Sequence, residues 1–341
     1  NAVVLHSGYD TSVEGQARKR VRDISILELE LQERPDHPFV LFNLGMTHHY
    51  MGEHEKAILW LEKCLSVAAP DESIVRKAYA LLALSYRERG DVDRCITTLN
   101  AGLAITPDDP EFNFHLGYTL SSLGRYEEAK ASYERTLSAD ISGYFTSVDR
   151  GILGHKTYHN LAGVYLLLND SVQAKACWRK ALKSMPEFLP SAFELFQHSL
   201  QGGDLASAQE ALEHIRLREG MSENWTVMAL QYVEKTGGTG ECEEFLKQCV
   251  HREPEALAPR LHLARLLARS ERTFEAEPHL VHLSQQGVAE AAFYLGVIAI
   301  QRNEARTALL WMERSLALNP DHVPTQEQVA NLRTAIAGEG L

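Results

Sequence analysis

A Leu-small dipeptide recurs along this 341-residue chain, each time followed by the same landmarks. A turn residue stands seven or eight positions later and a small residue five beyond that. A large residue and then a proline complete the set. "FNLGMTHHYMGEHEKAILWLEKCL" begins at Phe42 and "FHLGYTLSSLGRYEEAKASYERTL" at Phe114. "HNLAGVYLLLNDSVQAKACWRKALKSMP" begins at His159 and "FYLGVIAIQRNEARTALLWMERSLALNP" at Phe293. A chain with this period is a stack of similar units, each burying its apolar face only against its neighbours.

These stretches resemble the tetratricopeptide pattern, about 34 residues folded as two antiparallel helices. Units start at Pro38, Arg76, Pro110, His155, Leu189, Glu223, Leu257 and Ala289, at spacings of 38, 34, 45, 34, 34, 34 and 32 residues. The fifth to seventh units are degenerate. Small residues mark helix crossings, where axes only about 8–10 Å apart leave no room for bulk. Gly45, Ala57, Ala83, Gly117, Ala129, Ala162, Ala174, Ala181, Ala208, Gly296 and Ala308 hold these places. Leu61, Tyr133, Trp178 and Met312 fill the space between pairs, and Pro107, Pro186, Pro254 and Pro320 close second helices. Residues 15–34 read as an amphipathic capping helix with Val21, Ile24, Leu27, Leu29 and Leu31 on one side, and 325–336 as a closing helix. The expected fold is all-α: a right-handed superhelical α-solenoid of about eight helix pairs.

Composition narrows the function. With 34 Lys+Arg against 46 Asp+Glu, the net charge is −12, and no basic excess exists to track phosphates. Nucleic acid is therefore not an expected partner. The longest apolar run, Ala291 to Ile300, is half of the ~20 residues a membrane span needs. Cys64, Cys95, Cys177, Cys242 and Cys249 stand among helix-packing positions, with Cys95 and Cys242 at one small position and Cys64 and Cys249 at another. They read as packing thiols, and unpaired thiols favour a reducing, cytoplasmic setting. His48, His49 and His54 in "HHYMGEH" are not expected to converge on a metal, because helix period and turn separate them. No HExxH, G-x-S-x-G, GxxxxGK[ST] or GxGxxG occurs. This chain is expected to need no cofactor or metal and to carry no catalytic residues.

Binding is the expected work, on the first helix of each pair. In the first unit that face displays Phe39, Phe42, Met46, His49 and Tyr50. The second displays Lys77, Leu84, Arg87 and Glu88, the third Phe114, Tyr118 and Ser121, and the fourth Lys156, His159 and Leu166. Rigid aromatics make good anchors for a protein or peptide partner. A clamp for a C-terminal carboxylate needs Lys and Asn where Phe42, Met46, Phe114 and Tyr118 stand, so a chaperone-tail clamp is not expected.

About eleven extra residues separate the third and fourth units, around 140–154. Gly143, Gly151 and Gly154 suggest a compact loop with special backbone angles, and Tyr144, Phe145, Asp149 and Arg150 are its contact candidates. The opening "VVLHSGYD" reads as a short strand running into a turn. "LHSGY", the helix "KRVRDISILELELQERPDHPFVLFNLG" and the repeats together resemble the C-terminal part of bacterial family-2 glycosyltransferases. The stretch "FTSVDRGILGHKTYHNLAGVYLLLND" onward is also similar to an inserted segment and repeat of those enzymes. The resemblance is strongest over residues 3–65 and 144–195 and is repeat character alone beyond about 201. It implies a GT-A catalytic domain upstream, using a nucleotide sugar and a divalent metal. Residues 1–14 would be that domain's last strand, 15–37 a linking helix, 38–322 the repeats and 323–341 a cap. His6 matches the signature histidine, a weak metal candidate only alongside the upstream domain. Partners would be a protein or peptide acceptor, that upstream domain and a second copy in a homodimer. The alternative is a free-standing repeat adaptor unrelated to sugar transfer.

Overall fold

The computed structural model describes residues 13–140, 149–238 and 240–338, and every regular element among them is helical. The expected strand at 3–10, with His6, lies outside the described residues, as do Tyr144 and Phe145. The chain forms two compact units, Asn1–Ser191 and Ala192–Leu341.

The first unit holds α1 (Val13–Glu33), α2 (Pro38–Tyr50), α3 (His54–Val67), α4 (Ser73–Glu88) and α5 (Val92–Ile105). It continues with α6 (Pro110–Ser122), α7 (Tyr126–Ser138), a 3-10 turn (Arg150–Leu153), α8 (His155–Leu167) and α9 (Ser171–Ser184). Helix α10 (Leu189–Gln201) begins at the end of this unit. The second unit contains α11 (Leu205–Glu219), α12 (Glu223–Gly237), α13 (Glu241–Arg252) and α14 (Leu257–Arg269). It ends with α15 (Thr273–Gln285), α16 (Ala289–Gln301), α17 (Ala305–Leu318) and α18 (Val323–Gly338). The architecture is an α-solenoid of paired helices.

Local chemistry explains the punctuation. Asp91, Asp170 and Asp204 each accept a hydrogen bond from the backbone N–H three residues on, capping α5, α9 and α11. The turn inside a pair needs one left-handed residue. Gly52, Gly90, Gly124 and Gly203 take it, as do Asn169 and Asn303, while Glu271 (φ 60°) takes it without glycine's freedom. Helices α5, α9, α13 and α17 each stop two residues before Pro107, Pro186, Pro254 and Pro320. Pro278 stands inside α15, where it removes one backbone donor. Helix α4 begins at Ser73, three residues before Arg76, because the longer preceding spacing leaves room for an extra turn fraction.

Packing follows the small–large alternation. A Cβ on Gly45 would meet Leu61 Cγ at 2.5 Å, one on Gly117 the Tyr133 ring at 2.9 Å, and one on Gly296 Met312 Cε at 2.8 Å. Leu61, Tyr133, Trp178 and Met312 are all fully buried opposite small residues. Helix α18 closes the second unit by placing Val329 and Leu332 against Ala308 and Met312.

Two details differ from the sequence reading. Of the five apolar α1 residues expected on one side, Ile24, Leu27 and Leu31 are partly covered, whereas Val21 and Leu29 are exposed. Spacings of three and four place the first three on one stripe, and Leu29, two residues from Leu27, falls off it. Gly151 and Gly154 are not left-handed. Gly154 is there for closeness, since a Cβ would meet Ser184 Oγ at 2.2 Å.

Candidate protein-binding face

In the first unit the first helices of successive pairs touch directly, α2 with α4, α4 with α6 and α6 with α8. The second helices make no comparable contact, so the first helices line the inner side of this unit's curve. Their outward positions form a shallow face whose three most prominent rings are Phe39 (56% exposed), Tyr50 (55%) and Tyr118 (50%). Each helix turn needs a core stripe only about 100° wide, and these rings lie beyond it.

Phe42 is a correction. At 7% exposed it belongs to the core of α2, one helical step too far round to reach the face. Met46 and Leu84 are half-buried. Phe114 is half-buried too, edge-on to Tyr133 at 5.9 Å and to His115 at 5.4 Å, so its own helix pair holds most of it. Glu88 is exposed, and Ser121 and Leu166 are half-buried.

The charged residues differ in how firmly they are held. Arg76 donates from Nε to Asp109 (2.6 Å) and from Nη2 to Glu111 (2.9 Å), and Lys77 donates to the other Glu111 oxygen at 2.5 Å. Asp109 is fully buried and also accepts the N–H groups of Glu111 and Phe112, capping α6. This four-residue network ties α4 to α6 and leaves Lys77 little freedom to receive a ligand. Sequence reasoning missed it, although Asp109 before Pro110 is a recognisable cap. Arg87 lies over the Tyr118 ring, 4.9 Å from its centroid, and its one carboxylate contact is adjacent Glu88 at 3.3 Å.

Histidines add to the face. His49 Nδ1 lies 2.8 Å from Ser85 Oγ, and its ring is edge-on to Tyr50 and to His54, at 5.4 and 5.5 Å. His49 and His54 thus come closer than expected, since the turn after α2 folds the α3 start back toward it. His48 turns away and pairs with Glu53 at 2.6 Å. Among the described residues no three His, Cys, Asp or Glu gather as a metal site. Burial lowers the His49 pKa, neighbouring His54 adds to this, Glu88 opposes it, and Lys77 and Arg87 lower it further. Burial pushes His115, absent from the sequence candidates, down to about 3, helped by Arg87 and Lys77 and opposed by Asp149. Both shifts favour the neutral imidazole.

At the fourth pair, His159 is edge-on to Phe188 at 5.4 Å, with Nδ1 3.0 Å from Ser191 Oγ. Lys156 donates to Asp149 at 2.5 Å, and Asp149 accepts the Gly151 N–H at 2.8 Å. Asp149 thus fastens the turn after the insertion, while Arg150 is exposed. All five cysteines are buried. Burial drives the thiols of Cys64, Cys177 and Cys249 up to about 11, which suits packing and not nucleophilic chemistry.

The first helices of the second unit carry a different surface. His262 Nε2 lies 2.8 Å from Glu223, and Arg265 grips Glu290 with two bonds of 2.7 and 2.5 Å. Phe293 leans edge-on to His322 at 5.3 Å.

Residues 40–71, 110–140 and 155–188 match the family model of the tetratricopeptide repeat. These helix pairs are tetratricopeptide repeats. All three lie in the first unit, where the repeat's Leu-small and turn positions are most regular. The chain is similar to solved tetratricopeptide-type structures. PilF of Pseudomonas aeruginosa shares 18% identity at TM-score 0.48, covering 67% of this chain and 97% of that one. MamA shares 20% at TM-score 0.41, covering 50% and 94%. The C-terminal part of a repeat protein of Cytophaga hutchinsonii shares 11% at TM-score 0.44, covering 92% and 96%. No curated protein matches the sequence. No helix among the described residues is long and apolar enough to cross a membrane.

Proposed function

We propose that this chain is a protein-binding scaffold whose tetratricopeptide repeats capture a peptide segment on the first-helix face of the first unit. The observation that carries the reading is the exposure of Phe39 and Tyr50 on α2 and of Tyr118 on α6, each about half open to solvent, on first helices that α4 links. Exposed rings on a rigid support are the residues that dominate binding energies. Selection of a random-peptide display library on the full chain tests it. Replacing Phe39, Tyr50 and Tyr118 together with Ala should abolish capture of the selected peptides while far-UV circular dichroism is unchanged. Undiminished capture by that variant would place binding elsewhere.

The finer reading is that the scaffold is the acceptor-recognition or assembly arm of a family-2 glycosyltransferase. Its support is the sequence resemblance of residues 3–65 and 144–195, with "LHSGY" ahead of the linking helix. In that reading a divalent metal and a nucleotide sugar serve an upstream catalytic domain, and the repeats hold the acceptor. The test is nucleoside diphosphate release from a panel of nucleotide sugars with Mn²⁺ or Mg²⁺. Release by the complete gene product, and none by residues 1–341 alone, is the expected result. No release from either would favour a free-standing adaptor.

A further inference from the structure

Arg87 is held more loosely than the arginines that fork onto carboxylates in this fold. Arg76 has two carboxylates, Arg265 forks onto Glu290, Arg125 onto Glu128 and Arg216 onto Glu213. Arg272 takes both Glu275 and Glu243. Each of these uses the planar donor fork that suits a carboxylate. The Arg87 side chain is 24% exposed and donates only one bond, to its sequence neighbour at 3.3 Å. Among the described residues its remaining N–H donors meet no acceptor. Its place in the last turn of α4 suits a cation but satisfies none of those donors.

Its surroundings are those of a recognition point. The Arg87 guanidinium lies over the Tyr118 ring, 4.9 Å from its centroid, and half of Tyr118 remains exposed. His49 and His115 lie within electrostatic reach of the guanidinium, and the Arg87 charge helps to lower the pKa of both. Lys77, the other cation nearby, is already bound to Glu111.

We infer that the segment captured by this face carries a carboxylate that docks on the Arg87 fork, next to an apolar side chain that lies on Tyr118. The occupant is thus an acidic-apolar peptide, chosen by local charge complementarity despite a chain of net charge −12. The inference rests on the proposed binding face and adds the chemistry of what binds there.

The test uses peptides selected from a random display library on the full chain, resynthesised with a fluorophore. Each is compared with a copy in which Asp and Glu become Asn and Gln. Anisotropy titrations should show the amide copies binding wild type about tenfold or more weakly. With Arg87→Gln that acid–amide difference should vanish, and with Arg87→Lys it should survive in part. Circular dichroism and thermal unfolding check that both variants fold, and Arg87→Lys serves if Arg87→Gln does not. Selection of basic or neutral peptides, or an acid–amide difference that persists in Arg87→Gln, would overturn the inference. If such peptides still lose binding in the Phe39, Tyr50 and Tyr118 variant, the face stands and only its chemistry was misread. If nothing is selected, or that variant binds like wild type, both readings fall.

Discussion

The two units use one packing rule and finish their first helices differently. In the first unit Phe39, Tyr50 and Tyr118 stand exposed and Arg87 lacks a fitted carboxylate. In the second, Arg265 is closed by Glu290 and His262 by Glu223. The shared rule is visible in Gly117 against Tyr133 and Gly296 against Met312. What separates the units is therefore the outward positions, which the period does not constrain. A surface whose charges already satisfy one another gains little by binding. One with uncovered rings and an open donor fork gains more.

The largest expected effect separates core from face within the first unit. Phe42→Ala should cost about 3–5 kcal/mol in denaturant unfolding, because it empties a buried site. Tyr50→Ala should stay within about 0.5 kcal/mol. Similar losses for both would erase the distinction on which the comparison depends.

Acid should act next. His115 has a folded pKa of about 3 against an ordinary value of 6.5. Between these values the unfolded chain holds a proton that the folded chain refuses. Stability from this group is thus complete above about pH 6.5 and falls as pH drops toward 3, at up to ~1.4 kcal/mol per pH unit. Unfolding measured across that window should flatten in His115→Asn.

A smaller effect probes the closed face. Glu290→Gln should destabilise the second unit by about 1 kcal/mol, since it unpairs a half-buried guanidinium. Its effect on peptide capture should be nil. The smallest change is a gain. Glu271→Gly should add up to about 1 kcal/mol, because the left-handed turn residue no longer carries a Cβ. Calorimetry resolves both.

Helix pairing was legible because Gly45, Gly117 and Gly296 sit at a fixed distance from Leu61, Tyr133 and Met312. Sterics alone demand that spacing. Turn positions were legible for a similar reason, since Gly52 and Asn169 are cheap in a left-handed conformation. The face was legible only as a set of helical positions. Phe42 and Phe39 are three residues apart on one helix, and a rotation of a fraction of a turn decides which ring is buried. The Arg76–Lys77–Asp109–Glu111 network and the His49–His54 approach depend on how neighbouring helices meet. A single-sequence period carries no such information. The role proposed for Arg87 was equally hidden, because it depends on the Tyr118 ring that α6 brings to its guanidinium.

The most direct measurement is hydrogen exchange of the full chain with and without a display-selected peptide. Slowed exchange confined to α2, α4 and α6 is the expected result. Protection on α14 and α16 instead, or along the second helices, would contradict a binding face on the first unit.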